Sequence, residues 1–124
     1  MKFLIIDDDD YKAEVAIKYL MGHEVIRARS YHSGMRIMLQ EQLDGIILDM
    51  AFPLRDYGRI EQMDEGLNVL GEMKRRNLNI PVMCYSSNVF NVREYTNVID
   101  YVQFSAMYDL SEPFKNFIKK CKIK

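Results

Sequence analysis

Little in this sequence announces a chemistry by abundance. Cysteine occurs twice, as Cys84 and Cys121, far apart, without metal-ligand spacing and with no histidine nearby, so a thiolate metal site is not expected and both are read as reduced thiols. The two histidines, His23 and His32, have no partner at ligand spacing either and are expected to be exposed polar residues. No apolar stretch approaches the roughly 20 residues that span a bilayer, and no basic leader with a cleavage pattern opens the chain. The expectation is a soluble, cytoplasmic, unexported protein with no membrane partner. Net charge is also missing. Seventeen basic residues against eighteen acidic ones leave -1, so no bulk field draws in nucleic acid or anionic lipid, and any charge-driven function has to be local.

What is present suits one domain over residues 1–124. At 48% hydrophobic content a chain of this length buries roughly two-thirds of its unfolded surface. Its organising stretch is Ile5-Ile6-Asp7-Asp8-Asp9-Asp10, a short apolar run that stops in four consecutive carboxylates. Like charges so close together need solvent, a cation or a helix N-terminus. Gly45-Ile46-Ile47-Leu48-Asp49 repeats the pattern of an apolar run ending in an acid.

In chain order, Lys2 to Ile6 reads as a buried central strand. Asp9 or Asp10 then caps a helix with Ala13, Ala16, Ile17, Leu20 and Met21 facing inward, which Gly22 terminates. Glu24 to Ala28 is a second strand. Ser30 precedes a helix with Tyr31, Met35, Met38, Leu39 and Leu43 on one face, and Gly45 to Asp49 is a third strand. A polar loop at about 50–64 leads to a helix marked by Leu67, Leu70 and Met73, whose basic end Lys74-Arg75-Arg76 suits a helix C-terminus. Ile80 to Tyr85 is a fourth strand closed by Ser86-Ser87-Asn88. A short helix is entertained for Val89 to Asn97. Val98 to Phe104 is a fifth strand, and Ser111 with Pro113 opens a last helix.

Alternating β and α elements imply an α/β fold, a single doubly wound, five-stranded parallel sheet with helices on both faces and right-handed crossovers. Ligands bind such sheets outside the carboxyl ends of the strands. Asp7, Asp8, Asp49, Ser86 and Ser87 all fall there. Three carboxylates with few other ligands suit a hard cation such as Mg²⁺, with Asp8 and Asp49 as ligands. Asp49, alone on its strand, is the better nucleophile toward a phosphoryl donor, and the Ser86 hydroxyl is placed to donate to a phosphoryl oxygen. The plainer alternative is that the acids only solvate a strand end and cap a helix.

These residues resemble the receiver domains of two-component response regulators. The pieces that carry the resemblance are Phe3-Leu4-Ile5-Ile6-Asp7-Asp8, Asp44-Gly45-Ile46-Ile47-Leu48-Asp49 with Pro53 after it, Glu65-Gly66-Leu67 and Ile80-Pro81-Val82. The resemblance implies a flavodoxin-like sheet of order 2-1-3-4-5 and a non-enzymatic signalling role with output by protein–protein interaction. It implies Asp49 as phospho-acceptor, and Asp7, Asp8, Asp49 and the backbone carbonyl of Ala51 as Mg²⁺ ligands. Ser86 would be the switch hydroxyl and Tyr101 the switch aromatic. The implied partners are a sensor histidine kinase or phosphotransfer protein upstream and a protein downstream.

Three departures stand out. The family's lysine at the end of the fifth strand is missing: aligning Asp100-Tyr101-Val102-Gln103-Phe104 puts Phe104 in its position and Ser105 in that of the following proline, a second alignment uses Glu112-Pro113-Phe114, and no lysine occurs between Lys74 and Lys115. The loop after Pro53 is extended, and Arg55 or Arg59 within it is a candidate for the missing cation. The stretch between Ser87 and Val98 is short for a full helix. Two expectations therefore stand side by side, a receiver modified on Asp49 and a degenerate receiver acting as a phosphorylation-independent adaptor. A small Mg²⁺-dependent phosphatase would need an aspartate two residues after its nucleophile, where this chain has Ala51.

Overall fold

The computed structural model describes residues 1–56, 65–88 and 90–123. Among the described residues nine elements follow one another: β1 (Lys2–Ile6), α1 (Asp10–Tyr19), β2 (Glu24–Ala28), α2 (Tyr31–Gln40), β3 (Gly45–Leu48), α3 (Glu65–Arg75), β4 (Val82–Ser86), β5 (Val98–Gln103) and α4 (Ser111–Ile123). The strands form one parallel sheet in the order β2-β1-β3-β4-β5, as the resemblance implied.

The continuous apolar runs of β1, β3 and β4 are explained by burial on both faces. Leu4, Ile6, Ile46 and Leu48 face the layer that holds Met35 and Met38 of α2 and Val69, Leu70 and Met73 of α3. Their neighbours Phe3, Ile5 and Ile47 face Ala13, Ala16 and Leu20 around α1 and Phe114, Phe117 and Cys121 of α4. Side chains alternate across a strand, so one apolar run fills two cores. The inward stripes are narrower than the sequence spacing suggests. Ile17, Met21 and Leu39 are exposed, because each core is closed by the smaller or more central residues beside them.

Helix starts follow local chemistry. The Asp9 side chain accepts from the Lys12 backbone N–H, and Ser30 and Ser33 form a reciprocal capping box at α2. Tyr31 and His32 also donate their backbone N–H groups to the carbonyls of Pro53 and Leu54, at 3.1 and 3.0 Å. The Asp56 carboxylate accepts from both serine hydroxyls, at 2.7 and 2.8 Å. The first part of the extended loop is thus tied to the start of α2. Gly22, at φ 95°, takes the left-handed turn that leads out of α1 toward β2.

The short helix entertained for 89–97 is not formed among the described residues. Two tight turns stand there instead, closed by Tyr95 N–H to Val92 O at 3.0 Å and Val98 N–H to Tyr95 O at 3.1 Å. Phe90, Val92 and Tyr95 pack on the α2–α3 core, so apolar side chains on an irregular segment cover what a helix would otherwise cover.

Candidate functional site

The hydrogen-bond ladder runs one residue past the strands. Asp7 N–H donates to Ala28 O at 3.0 Å and Asp49 N–H to Ile6 O at 2.9 Å, so both acids leave the sheet in register. Arg27 fixes the first of them further, its guanidinium donating twice to the Asp7 carbonyl, at 3.1 and 2.9 Å. Asp7 and Asp49 are buried and Asp8 is half-buried, and one carboxylate oxygen from each lies within 4.8 Å of the others. Asp9 N–H donates to Asp7 Oδ1 at 2.9 Å, and Met50 N–H to Asp49 Oδ1 at 2.8 Å.

A cation reaches the acidic cluster from α1. Lys12 Nζ lies 2.8 Å from Asp49 Oδ1 and 3.1 Å from Asp7 Oδ2, and donates to the Tyr85 carbonyl at 3.0 Å. The residue is only 4% exposed, and its ammonium sits 5.1 Å from the centre of the Tyr85 ring. Tyr85 returns the contact, its hydroxyl donating to the Lys12 carbonyl at 3.1 Å. Phe104 spends its ring on Tyr85 and Tyr11, at centroid distances of 5.4 and 6.3 Å. The end of β5 therefore supplies an aromatic wall to the residue that anchors Lys12. Arg55 lines a separate cavity with Ser30, His32, Ser33, Arg36 and Asp56, and Arg59 lies outside the described residues.

Lys12 escaped the sequence reading because it was sought at a strand end. A signal was available. A lysine in the first turn of a helix opposes the helix dipole, and one placed there among four aspartates has an evident counter-charge.

Charge is unevenly settled in this cluster. Burial and the neighbouring Asp49 push the Asp7 carboxyl up to about 7, against the opposing pull of Lys12. Burial also raises Asp8. Asp7 Oδ2 meets the Lys12 ammonium as an ion pair but in a poor hydrogen-bonding direction, leaving a buried oxygen short of a donor. The donor set fits Mg²⁺: all ligands are oxygen, and a 4.8 Å spread is near the ~4.2 Å between opposite oxygens of an octahedral Mg²⁺. Asp7, Asp8 and Asp49 would hold the ion, with Ala51 beside them.

The site opens to a cavity of about 100 Å³ lined by Asp8, Asp9, Lys12, Asp49, Ala51, Ser86, Ser87 and Asn88. Asp9 has a double position, capping α1 and lining this cavity, whereas Asp10 turns away to pair with Arg27 and Arg29. Ser86 is buried, its hydroxyl oxygen accepting from Asn88 N–H at 3.3 Å. Tyr101 stands apart from the cavity. Half-buried, it accepts from Phe90 N–H at 2.9 Å and donates to Asn88 O at 2.8 Å, pinning the segment that follows β4.

Solved structures share this arrangement of chain. A response regulator, TrrA from Thermotoga maritima, described as in complex with Mg²⁺-BeF, superposes with a TM-score of 0.74 at 20% identity over 97% of each chain. A response regulator receiver domain protein from Clostridium thermocellum gives 0.67 at 24% identity, covering 98% of this chain and 97% of the other. A further response regulator, described in an Mn²⁺-bound form, gives 0.65 at 22% identity over 94% and 88%. This chain has the receiver fold. No protein-family model matches the sequence, and no curated protein matches it. Cys84, inside β4, has its thiol pushed up to about 12 by burial, which suits a core residue of this receiver fold and not a nucleophile.

Proposed function

We propose that this protein is a receiver-type signalling module that accepts a phosphoryl group on Asp49 in the presence of Mg²⁺ and signals by protein–protein contact. The observation that carries this reading is the pairing of a nearly buried Asp49 with both an all-oxygen acidic cluster and an ammonium group at 2.8 Å. Three carboxylates and one ammonium sum to two negative charges when all are ionised, the charge that one divalent ion neutralises. Bound Mg²⁺ would supply Lewis-acid stabilisation of phosphoryl oxygens.

In the step itself an Asp49 carboxylate oxygen attacks phosphorus and forms an acyl phosphate. The P–N bond of a phosphohistidine on a sensor kinase or phosphotransfer protein breaks, and the departing imidazole takes a proton from solvent. Lys12 and the Ser86 hydroxyl flank the place where charge develops, and Ser86 continues into the loop pinned by Tyr101. No group two residues after Asp49 acts as acid or base, Ala51 being there, so the module is read as an acceptor and not as a phosphatase. The degenerate-adaptor reading drew its support from the absent β5 lysine, and Lys12 weakens that argument.

The test is intact mass after incubation with Mg²⁺ and phosphoramidate. One added phosphoryl group is expected, absent in Asp49→Asn and absent with a chelator. No gain with phosphoramidate or with an acyl phosphate donor, or a gain retained by Asp49→Asn, overturns the reading.

A further inference from the structure

Among the described residues, Lys12 is a buried charged group that local structure does not favour. It sits in the first turn of α1, where a cation opposes the helix dipole, and a lysine on a helix ordinarily carries its ammonium out to water. Here the ammonium turns inward, and its three partners come from three different strand ends: Asp7 after β1, Asp49 after β3 and the Tyr85 carbonyl in β4. The reciprocal bond from the Tyr85 hydroxyl to the Lys12 carbonyl closes a clamp that fixes both the backbone and the tip of the lysine. A buried charge persists only when paired and hydrogen-bonded. Core packing by itself is met by the alanines at 13 and 16 of the same helix.

We infer that Lys12 is the positioning cation of the Asp49 site, relocated from the sheet end to helix α1: it holds the acceptor carboxylate against Asp7, opposes Mg²⁺ for that charge, and takes a phosphoryl oxygen once Asp49 is modified. The last clause rests on the reading of Asp49 as acceptor, whereas the first two do not. Two opposed consequences follow. Removing Lys12 deletes a positive charge beside the metal ligands and strengthens Mg²⁺ binding. The same removal withdraws a donor from the phosphoryl group and slows acceptance. A residue that merely supported the fold would weaken both.

The experiment compares wild type with Lys12→Met and Lys12→Arg, each checked for native circular dichroism. Mg²⁺ affinity is measured by calorimetry, and phosphoryl gain from phosphoramidate by intact mass. For Lys12→Met, Mg²⁺ affinity is expected to rise about tenfold, the equivalent of one pK unit of charge interaction, while acceptance falls at least about tenfold. Lys12→Arg, which keeps the charge, is expected to hold Mg²⁺ affinity within about threefold of wild type. Unchanged or weakened Mg²⁺ binding in Lys12→Met overturns the inference. If wild type accepts no phosphoryl group, the proposed function fails while the change in Mg²⁺ affinity still decides whether Lys12 holds the carboxylates. Should Lys12→Met fail to fold, the side-chain ammonium resonance of Lys12 in the unmutated protein decides. A shift on Mg²⁺ addition supports the inference, and an unmoved resonance overturns it.

Discussion

Asp7 carries the main electrostatic strain of the site. Its carboxyl is pushed up to about 7 from an ordinary value near 3.8, first by burial and then by Asp49. Between those values the native state binds a proton that the unfolded chain has released, so the unfolding free energy falls as pH rises. Stability from this group is fully present below about pH 4 and lost as pH passes about 7. With metal chelated, urea midpoints are therefore expected to drop from pH 5.5 to pH 8, the Asp7 part amounting to on the order of 2 kcal/mol. Asp7→Asn isolates that part from His23, whose burial-lowered pKa contributes in the opposite sense. Mg²⁺ at pH 8 should recover the loss. A wild type and Asp7→Asn with the same pH slope would show that Asp7 is not under this strain. At this scale the acids were legible in the sequence, because an apolar run ending in aspartate marks a strand end. Lys12 was not. Which way a helical lysine bends depends on what lies beneath it, and here that is fixed by the ends of β1, β3 and β4, the last two distant in sequence.

Elements hold the site by close backbone approach as much as by side chains. Gly66 opens α3 against the loop that follows Asp49. A Cβ there would lie 2.6 Å from Met50 Cα and 2.7 Å from Asp49 O, both backbone atoms with little room to shift. Gly66 N–H also donates to Met50 O at 3.0 Å. Gly66→Ala is expected to destabilise by about 1 to 3 kcal/mol in urea unfolding and, by displacing the Asp49 segment, to weaken Mg²⁺ binding in calorimetry. Retained stability together with retained Mg²⁺ affinity would show that the contact is not needed. The Glu65-Gly66-Leu67 signature was visible in the sequence, but its physical cause was not. The segment from β4 to β5 is the complementary case. Its weak apolar periodicity left a helix in question, and Phe90, Val92 and Tyr95 instead serve the core from turns, with the Tyr101 hydroxyl as their tether.

For the molecule as a whole, parallel strand order decides where chemistry can happen. Five strands in the order β2-β1-β3-β4-β5 bring Asp7 and Asp49 onto neighbouring strands β1 and β3, with Ser86 one strand further. That all strand carboxyl ends lie on one side followed from the alternation of strand and helix signals, since crossovers between parallel strands have one hand, whereas the strand order itself was implied by the resemblance to receiver domains. What the alternation left open was the source of the positive charge. The sheet ends supply the acids and α1 supplies the cation, joined through Tyr85. Modification of Asp49 is the central claim, and the most direct test is chemical trapping. Wild-type protein treated with Mg²⁺ and phosphoramidate is reduced with borohydride, which converts an aspartyl phosphate to homoserine, and then mapped by peptide mass spectrometry. Homoserine is expected at position 49 and at no other acid. No homoserine anywhere, or homoserine at Asp7 or Asp8 with Asp49 intact, would contradict it.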